Sequence, residues 1–387
     1  MNLNRRNFVK SGGLLMAGLG TGIFPAFSEE QEEKLKKMQQ AVKFTRDGLD
    51  LTPLETISLL HDLEQRGKIS VDNYSLGGSV EELENKFSQL LGKEAAIFMP
   101  TGTLANHIAI RKLASDKKRV IVQAESHIYR DTGDCAQNLS NLNLIPLRSG
   151  ETDFTVQDVK EVFMRTREGR VNSKIGAISL ESPVRRKHNQ MFLFSEMQKI
   201  VDFAREEKIG IHLDGARLFN ASVHSNIPPD QLASMFDTVY VSLYKNFNAP
   251  SGAILLGSKE FIDGLFHTRR MFGGGLVQVW PYATVALHYA DSFLTDYKEA
   301  VANAEVFFKL IHKNNNLEIE RIPNGTNVFI LKVINTDPVT FRQKLENQNI
   351  LVPSPTPGTN EFVMKINPTI NRISMDLLAE RFHHAVS

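Results

Sequence analysis

Short apolar runs alternate with longer amphipathic stretches along the chain from about residue 120. The runs are RVIVQAE, NLNLIPLR, KIGAISLE, KIGIHLD, TVYVSL and GAILLG. Their length and their β-branched residues predict buried strands. The stretches between them, such as FLFSEMQKIVDFAREEK, repeat apolar residues every three or four positions and therefore predict helices. This alternation predicts an α/β domain with a mostly parallel sheet that is covered on both faces.

The pattern changes near residue 290. A long helix is predicted over DSFLTDYKEAVANAEVFFKLIHK, followed by NVFILKVI, the helix-like DPVTFRQKLENQN and the proline-rich VPSPTPGTN. We therefore expect a large domain over residues 71–290 and a smaller C-terminal α+β domain over residues 291–387. Residues 29–70 are interpreted as an N-terminal arm that packs back on the large domain.

The first 28 residues differ in composition from the rest. The basic segment NRRNFVK precedes an uncharged, glycine-rich run, and small residues at Ala26 and Ser28 precede the charged EEQEEKLKK. These features predict a cleavable signal, and the Arg5-Arg6 pair resembles a twin-arginine signal. We therefore expect an exported, periplasmic protein without a stable membrane anchor. The alternative is a basic tail with a membrane-associated helix on a cytoplasmic protein.

Composition narrows the classes of function. The chain has 387 residues and a formal net charge of +1, so no overall field attracts nucleic acid or a membrane. The single cysteine, Cys135, excludes an intramolecular disulfide and a cysteine-rich metal site. His383 and His384 are adjacent and therefore do not share a helix face, so we expect no metal there.

Candidate functional residues follow the predicted strands. Ligands of open parallel sheets collect at the carboxyl ends of the strands, so these residues are expected at one rim. Thr101, Gly102 and Thr103 begin a predicted helix. The N-terminus of a helix suits a phosphate, although these residues are also typical of an ordinary N-cap. The rim residues are Thr101, Gly102, Thr103, Ser126, His127, Glu181, Asp214 and Lys245.

Together these residue types suit pyridoxal 5'-phosphate. That cofactor needs a lysine amine for a Schiff base and an acidic partner for its protonated ring nitrogen. Lys245 offers the amine and Asp214 offers the carboxylate. Each residue alone has an ordinary structural explanation, and the prediction depends on their combination.

Four segments carry a resemblance to a known family. GKEAAIFMPTGTLANHIAI, HLDGARLFNA and SLYKNFNAPSGAILLG resemble segments of the threonine aldolase and aromatic amino acid β-eliminating lyase family, as does RRMFGGGLVQ. The arginine of DGAR precedes the lysine by 28 residues. The resemblance implies the aspartate-aminotransferase-type fold, fold type I, with pyridoxal phosphate as cofactor.

The resemblance also implies residue roles. Lys245 would carry the cofactor and act at the substrate α-carbon, Asp214 would hold the pyridinium, and His127 would stack on the ring. Thr101, Gly102 and Thr103 would bind the phosphate, assisted by Arg270 across a subunit interface. Arg217 would lie near the cofactor oxygen and any substrate carboxylate. A homodimer or homotetramer is implied only by the resemblance.

The chain departs from the family where the substrate binds. Val184 stands where a histidine is usual, and Asp47 replaces a serine that helps to hold the substrate carboxylate. Lys365 or Arg372 could supply the C-terminal cation, and Arg185 or Arg186 could compensate. Two interpretations remain open. One is drift in a loosely specified pocket, and the other is a different substrate: an amine, a larger or aromatic amino acid, or an acid held in another register.

The sequence thus predicts a lyase that acts on an amino acid or amine by aldol cleavage or β-elimination. Transamination or racemisation on the same scaffold, and an exported protein that binds the cofactor or an amine without turnover, are the alternatives.

Overall fold

The computed structural model of the chain describes residues 28–171 and 173–387. The predicted export signal, apart from Ser28, lies outside the described residues. None of the helices in these two ranges is both long and apolar enough to cross a bilayer.

The strands fall into three sheets. In chain order, the described strands are β1 Val42–Lys43, β2 Ala95–Met99, β3 Arg119–Gln123, β4 Asn143–Leu147, β5 Ile175–Glu181, β6 Gly210–Asp214, β7 Thr238–Ser242, β8 Ala253–Gly257, β9 Leu317–Arg321, β10 Val328–Val333, β11 Ile350–Leu351 and β12 Glu361–Lys365.

Helices separate most of the strands. The described helices are α1 Glu29–Gln39, α2 Pro53–Gln65, α3 Gly78–Leu91, α4 Gly102–Ala114, α5 His127–Arg130, α6 Cys135–Ser140, α7 Val156–Arg167, α8 Phe194–Glu206, α9 Leu218–Ser225, α10 Pro229–Ser234, α11 Leu243–Asn246, α12 Lys259–Ile262, α13 Leu265–Met271, α14 Trp280–Ala290, α15 Phe293–Ile311, α16 Pro338–Glu346 and α17 Met375–Val386. Short 3-10 turns lie at Ser115–Lys117, Arg185–Lys187 and Pro368–Arg372.

The central sheet has seven strands in the order β2-β8-β7-β6-β5-β3-β4. Strands β3 to β7 run parallel to one another, whereas β8 runs antiparallel to both β2 and β7. The six runs predicted from sequence all form strands of this sheet. The mostly parallel α/β architecture is therefore confirmed, and β2 is a strand that the sequence interpretation did not include.

Both faces of the sheet are covered. Along β8, Ile254 and Leu256 join one apolar cluster and Ala253 and Leu255 join another, because successive strand residues face opposite sides. Helix α4 lies on the second face and contributes Ala105 to that cluster. Its N-terminus consequently lies beside the carboxyl ends of the parallel strands.

The C-terminal region builds a second core around the antiparallel sheet β12-β10-β9 and the helices α15 to α17. The predicted smaller α+β unit is present. Strand β1, from the predicted arm, pairs in parallel with β11 of this unit, and Phe44 lies in its core. The arm therefore packs on the smaller unit at this point, instead of only on the large one.

Candidate active site

The carboxyl ends of β5 and β6 lie side by side, with Glu181 paired in register with Asp214. A cavity of about 420 Å³ opens at these strand ends. It is lined by Pro100, Thr101, Gly102, Thr103, His127, Glu181, Arg185, Asp214, Ala216, Arg217, Tyr240, Tyr244, Lys245 and Ser251. The structure therefore brings the predicted phosphate, ring and amine residues to one cavity.

Asp214 is oriented by a chain of buried side chains. Its Oδ2 accepts a hydrogen bond from Asn106 Nδ2 at 2.5 Å, and its Oδ1 accepts one from the Ala216 amide at 3.1 Å. The Asn106 oxygen lies 2.8 Å from His212 Nε2, and His212 Nδ1 lies 2.8 Å from Thr238 Oγ1. Because the Asn106 amide donates to Asp214, its oxygen must accept from His212.

His212 is neutral in this chain. Burial lowers its pKa to about 4, so one ring nitrogen donates and the other accepts. Thr238 therefore donates to His212, His212 donates to Asn106, and Asn106 donates to Asp214. This order leaves the carboxylate as a fixed acceptor at the bottom of the cavity.

Helix α4 presents its N-terminus to the cavity. Thr101 caps the helix by accepting a hydrogen bond from the Leu104 amide at 3.1 Å, and the first intrahelical bond runs from Ala105 to Thr101. The amides of Gly102 and Thr103 precede that bond and belong to the positive end of the helix dipole. A Cβ at Gly102 would collide with the Tyr240 hydroxyl, so the backbone approaches the cavity wall closely at this residue.

Lys245 lies in the short helix α11, just beyond β7. Burial, together with the nearby Arg217 guanidinium, lowers the pKa of Lys245 to about 7. A large fraction of the amine is therefore uncharged and nucleophilic at neutral pH. A second cavity of about 510 Å³ shares Lys245, Arg217, Arg185 and Tyr244 with the first.

Glu181 fixes the neighbouring loops. One carboxylate oxygen accepts from the His127 amide at 2.5 Å and the other from the Arg185 amide at 2.9 Å. Burial and the nearby Asp214 raise the pKa of Glu181 to about 7. His127 is thereby held at the cavity wall, with its Nε2 3.4 Å from Thr103 Oγ1.

Asp47 is paired with two cations that the sequence interpretation assigned to substrate. Arg217 Nε and Nη2 donate to its two carboxylate oxygens at 3.0 Å each, and Lys365 Nζ lies 3.2 Å from Oδ2. Burial alone would raise the pKa of Asp47, but Arg217 and Lys365 outweigh it and hold that pKa well below its usual range. The Asp47 charge is therefore compensated inside the chain.

The other predicted substrate residues lie elsewhere. Val184 is fully buried, and it is not among the described residues that line the two cavities. Arg185 lines both cavities and donates to Asp131 at 2.6 Å. Arg372 donates to the Ala41 carbonyl at 2.7 Å, so Lys365 is the C-terminal cation next to Asp47. Arg270 is exposed in the single chain, with its guanidinium 4.6 Å from the centre of the Tyr74 ring.

Sequence reasoning missed several lining and supporting residues. His212 precedes Asp214 by two positions on β6, so the two side chains lie on the same face of the sheet. The alternation of side chains along the predicted strand could therefore have identified His212 from sequence. Asn106 lies one helical turn after Gly102, on the same face of α4. Tyr240, Tyr244 and Ser251 approach the cavity only through the tertiary fold. Within the described residues, no group of three or more His, Cys, Asp or Glu is arranged to hold a metal ion.

The parallel sheet and its cavity define an α/β protein with a nucleophilic lysine at a ligand-binding rim. The family model for beta-eliminating lyases matches residues 65–330, and the chain belongs to that family.

Individual relatives agree with this assignment. A low-specificity L-threonine aldolase of Candida albicans is 32% identical over 212 residues, which cover 54% of this chain and 56% of that protein. A low-specificity L-threonine aldolase of Saccharomyces cerevisiae is 30% identical over 207 residues, which cover 53% of each chain. The chain thus spans about half the length of these curated relatives.

A solved structure extends the likeness over the whole fold. The crystal structure of a candidate L-allo-threonine aldolase from Listeria monocytogenes superposes with a TM-score of 0.74 at 23% identity, covering 92% of this chain and 99% of that one. At this identity the likeness concerns the fold alone.

Proposed function

We propose that the protein is a pyridoxal-phosphate-dependent carbon–carbon lyase that cleaves the bond between the amine-bearing carbon and the hydroxyl-bearing carbon of a β-hydroxy amino compound. The observation that carries the proposal is the meeting of Lys245, Asp214 and the N-terminus of α4 in one cavity. L-Threonine, named for the relatives, is the reference substrate of this class. Aldol cleavage is preferred over β-elimination because the relatives' names specify aldolases.

The residues of the cavity suit this cofactor. The amides of Gly102 and Thr103 would hold its phosphate. The absence of a side chain at Gly102 lets this helix N-terminus pack directly against Tyr240 in the cavity wall. Asp214 would hold a proton on the ring nitrogen, supported from behind by Asn106. Lys245 would bind its aldehyde carbon. When bound, pyridoxal phosphate accepts the electron pair of a bond broken at the amine-bearing carbon.

Proton transfer would fall to residues of the same cavity. Lys245, with a pKa of about 7, can deliver a proton to the amine-bearing carbon after the C–C bond breaks. Val184 has no group that could accept the hydroxyl proton. His127 and Glu181, which line the cavity, are the groups we assign to that transfer.

The first test is covalent attachment. We expect borohydride reduction of the protein incubated with pyridoxal phosphate to add the cofactor mass to the peptide that contains Lys245, and Lys245→Ala to abolish this. The loaded enzyme should release acetaldehyde from a β-hydroxy amine that carries a methyl group. Attachment at other lysines only, or acetaldehyde release that persists in Lys245→Ala, would refute the assignment.

Assembly and location are separate proposals. Arg270 and Gly273, the first glycine of the stretch after it, are exposed in the single chain, which suits the homodimer or homotetramer implied by the family resemblance. Export by a twin-arginine signal remains the proposal from residues 1–28. Sedimentation of the loaded protein and fractionation of the producing cells would test the two proposals.

A further inference from the structure

We propose that Asp47 is a built-in counter-ion that excludes a substrate α-carboxylate, so that the preferred substrate is a β-hydroxy amine without one. Asp47 thereby becomes a specificity-determining residue. The inference rests on the proposed lyase function and narrows its substrate class.

Asp47 already occupies a complete carboxylate-binding site. Arg217 donates to both of its oxygens at 3.0 Å, a bidentate arrangement, and Lys365 approaches Oδ2 at 3.2 Å. The side-chain amides of Asn327 and Asn189 lie 3.1 and 3.4 Å from Oδ1. A substrate carboxylate would need the same donors, which are already engaged.

The position of Asp47 is fixed by the residues that follow it. A Cβ at Gly48 would collide with the Lys245 carbonyl and with the Asn248 side chain, so this backbone lies directly against α11. The Leu49 amide donates to Asn248 Oδ1 at 2.7 Å. The backbone that follows Asp47 is therefore anchored against the segment that carries the lysine, so Asp47 can leave Arg217 only if its side chain rotates within the buried site or if that segment moves.

Displacing Asp47 would be unfavourable even if the segment moved. Asp47 is 5% exposed and Arg217 is 3% exposed, so the displaced carboxylate would remain buried without its partner. An unpaired buried charge costs far more than an exchange between solvated partners. A second carboxylate beside a fixed one is also repelled. An amine without a carboxylate avoids both costs.

The remaining cations near the cavities have acidic partners. Arg185 pairs with Asp131 at 2.6 Å. Arg46, in the second cavity, lies 3.8 Å from Asp50, but both side chains are largely exposed, so solvent screens this cation whether or not Asp50 is charged. Among the described residues near the cavities, the charges therefore best match a substrate without a carboxylate.

The reaction balances for such a substrate. In 1-amino-2-propanol the bond between the amine-bearing carbon and the hydroxyl-bearing carbon breaks. The hydroxyl proton leaves, and its oxygen becomes the carbonyl of acetaldehyde. The electron pair left on the amine-bearing carbon takes up a proton, which gives methylamine. No external oxidant or reductant is required.

The first experiment compares ligand pairs that differ by one carboxylate, with the wild-type, cofactor-loaded protein. Dissociation constants of glycine and methylamine are measured from the change in visible absorbance, and acetaldehyde release is measured from L-threonine and 1-amino-2-propanol. We expect methylamine to bind at least as tightly as glycine, and kcat/KM to be higher for 1-amino-2-propanol than for L-threonine. This comparison requires no variant and stands if a variant fails to fold.

The second experiment uses Asp47→Asn, which keeps the shape and removes the charge. Without its counter-ion, Arg217 should attract a substrate carboxylate, and we expect glycine to bind about tenfold more tightly relative to methylamine. Asp50→Asn removes a carboxylate from the same cavity that is not bound to Arg217. The ratio of the dissociation constants of glycine and methylamine should stay close to the wild-type value in this control.

The outcomes separate the two proposals. A wild-type preference for glycine and L-threonine, or a ratio of glycine to methylamine affinity that Asp47→Asn leaves unchanged, would overturn the inference and leave the lyase function standing. Attached cofactor without acetaldehyde from either substrate would overturn the lyase function and, with it, the inference.

Discussion

Lys245 is the residue whose ionisation controls capture of an aldehyde. Burial and Arg217 lower its pKa to about 7, so the neutral amine predominates above pH 7 and falls about tenfold for each pH unit below it. We expect the rate of Lys245 acetylation by acetic anhydride in the cofactor-free protein, followed by peptide mass spectrometry, to reach half its maximum near pH 7.

The same measurement tests the cause of the shift. Arg217→Gln removes a cation beside the amine and should therefore raise the midpoint of the acetylation profile. A wild-type midpoint near the ordinary lysine value of about 10.4 would contradict the prediction.

The residues that line the cavity could be predicted from sequence because the carboxyl ends of parallel strands lie at the same edge of the sheet. Asp214 and Lys245 each follow an apolar run, and the structure brings both into one cavity. The partner of Asp47 was not predictable. Arg217 lies 170 positions away, and only the path of β1 across the smaller unit brings the two together.

At the scale of elements, the N-terminus of α4 depends on the absence of a side chain at Gly102. In Gly102→Ala the new Cβ would collide with the Tyr240 hydroxyl, so the first turn must move away from the cavity wall. We expect the affinity for pyridoxal phosphate, measured by equilibrium dialysis, to fall about tenfold or more, the equivalent of about 1.4 kcal/mol.

Tyr240→Leu supplies the rescue for this prediction. The new Cβ would collide with the Tyr240 hydroxyl and also with the ring carbon Cζ, so a shorter side chain without these atoms relieves the collision, and the double variant should recover part of the affinity that Gly102→Ala loses. Equal losses in the single and double variants would mean that the collision does not determine the affinity.

The order of helices and strands could largely be predicted from sequence, and the strands that were missed have a physical explanation. The six apolar runs became β3 to β8 because strands buried on both faces are continuous apolar segments. Strand β2 pairs antiparallel with β8, more than 150 positions away in the chain, and β12 pairs with β10. Their short sequences contain too little periodicity to reveal such long-range pairing.

At the scale of the whole molecule, Asp47 links three parts of the chain. It follows Phe44, which packs against Phe307, Phe329 and Phe382 in the core of the smaller unit. Its carboxylate contacts Arg217 from the large unit and Lys365 from the smaller one. The charge that shapes the substrate pocket is thus also a junction of the fold.

This junction predicts a defined dependence of stability on pH. Because folding lowers the pKa of Asp47, its contribution is present above the unfolded-state value of about 3.9 and is lost as the pH falls through the lower folded-state value. At pH 7, Asp47→Asn leaves the buried Arg217 and the partly buried Lys365 without their anion and should reduce the free energy of unfolding by about 3–5 kcal/mol.

Urea unfolding followed by circular dichroism from pH 7 down to pH 3 measures the difference between wild type and variant. The gap between the two midpoints should be widest at pH 7 and narrow below about pH 4, because there the Asp47 carboxyl group of the unfolded wild type takes up a proton while that of the folded protein is still charged. Asp50→Asn breaks a solvent-exposed contact of 3.8 Å and should shift the midpoint little at any pH. A gap between wild type and Asp47→Asn that is small at pH 7, or that widens on acidification, would mean that the Asp47–Arg217–Lys365 cluster does not hold the two units together.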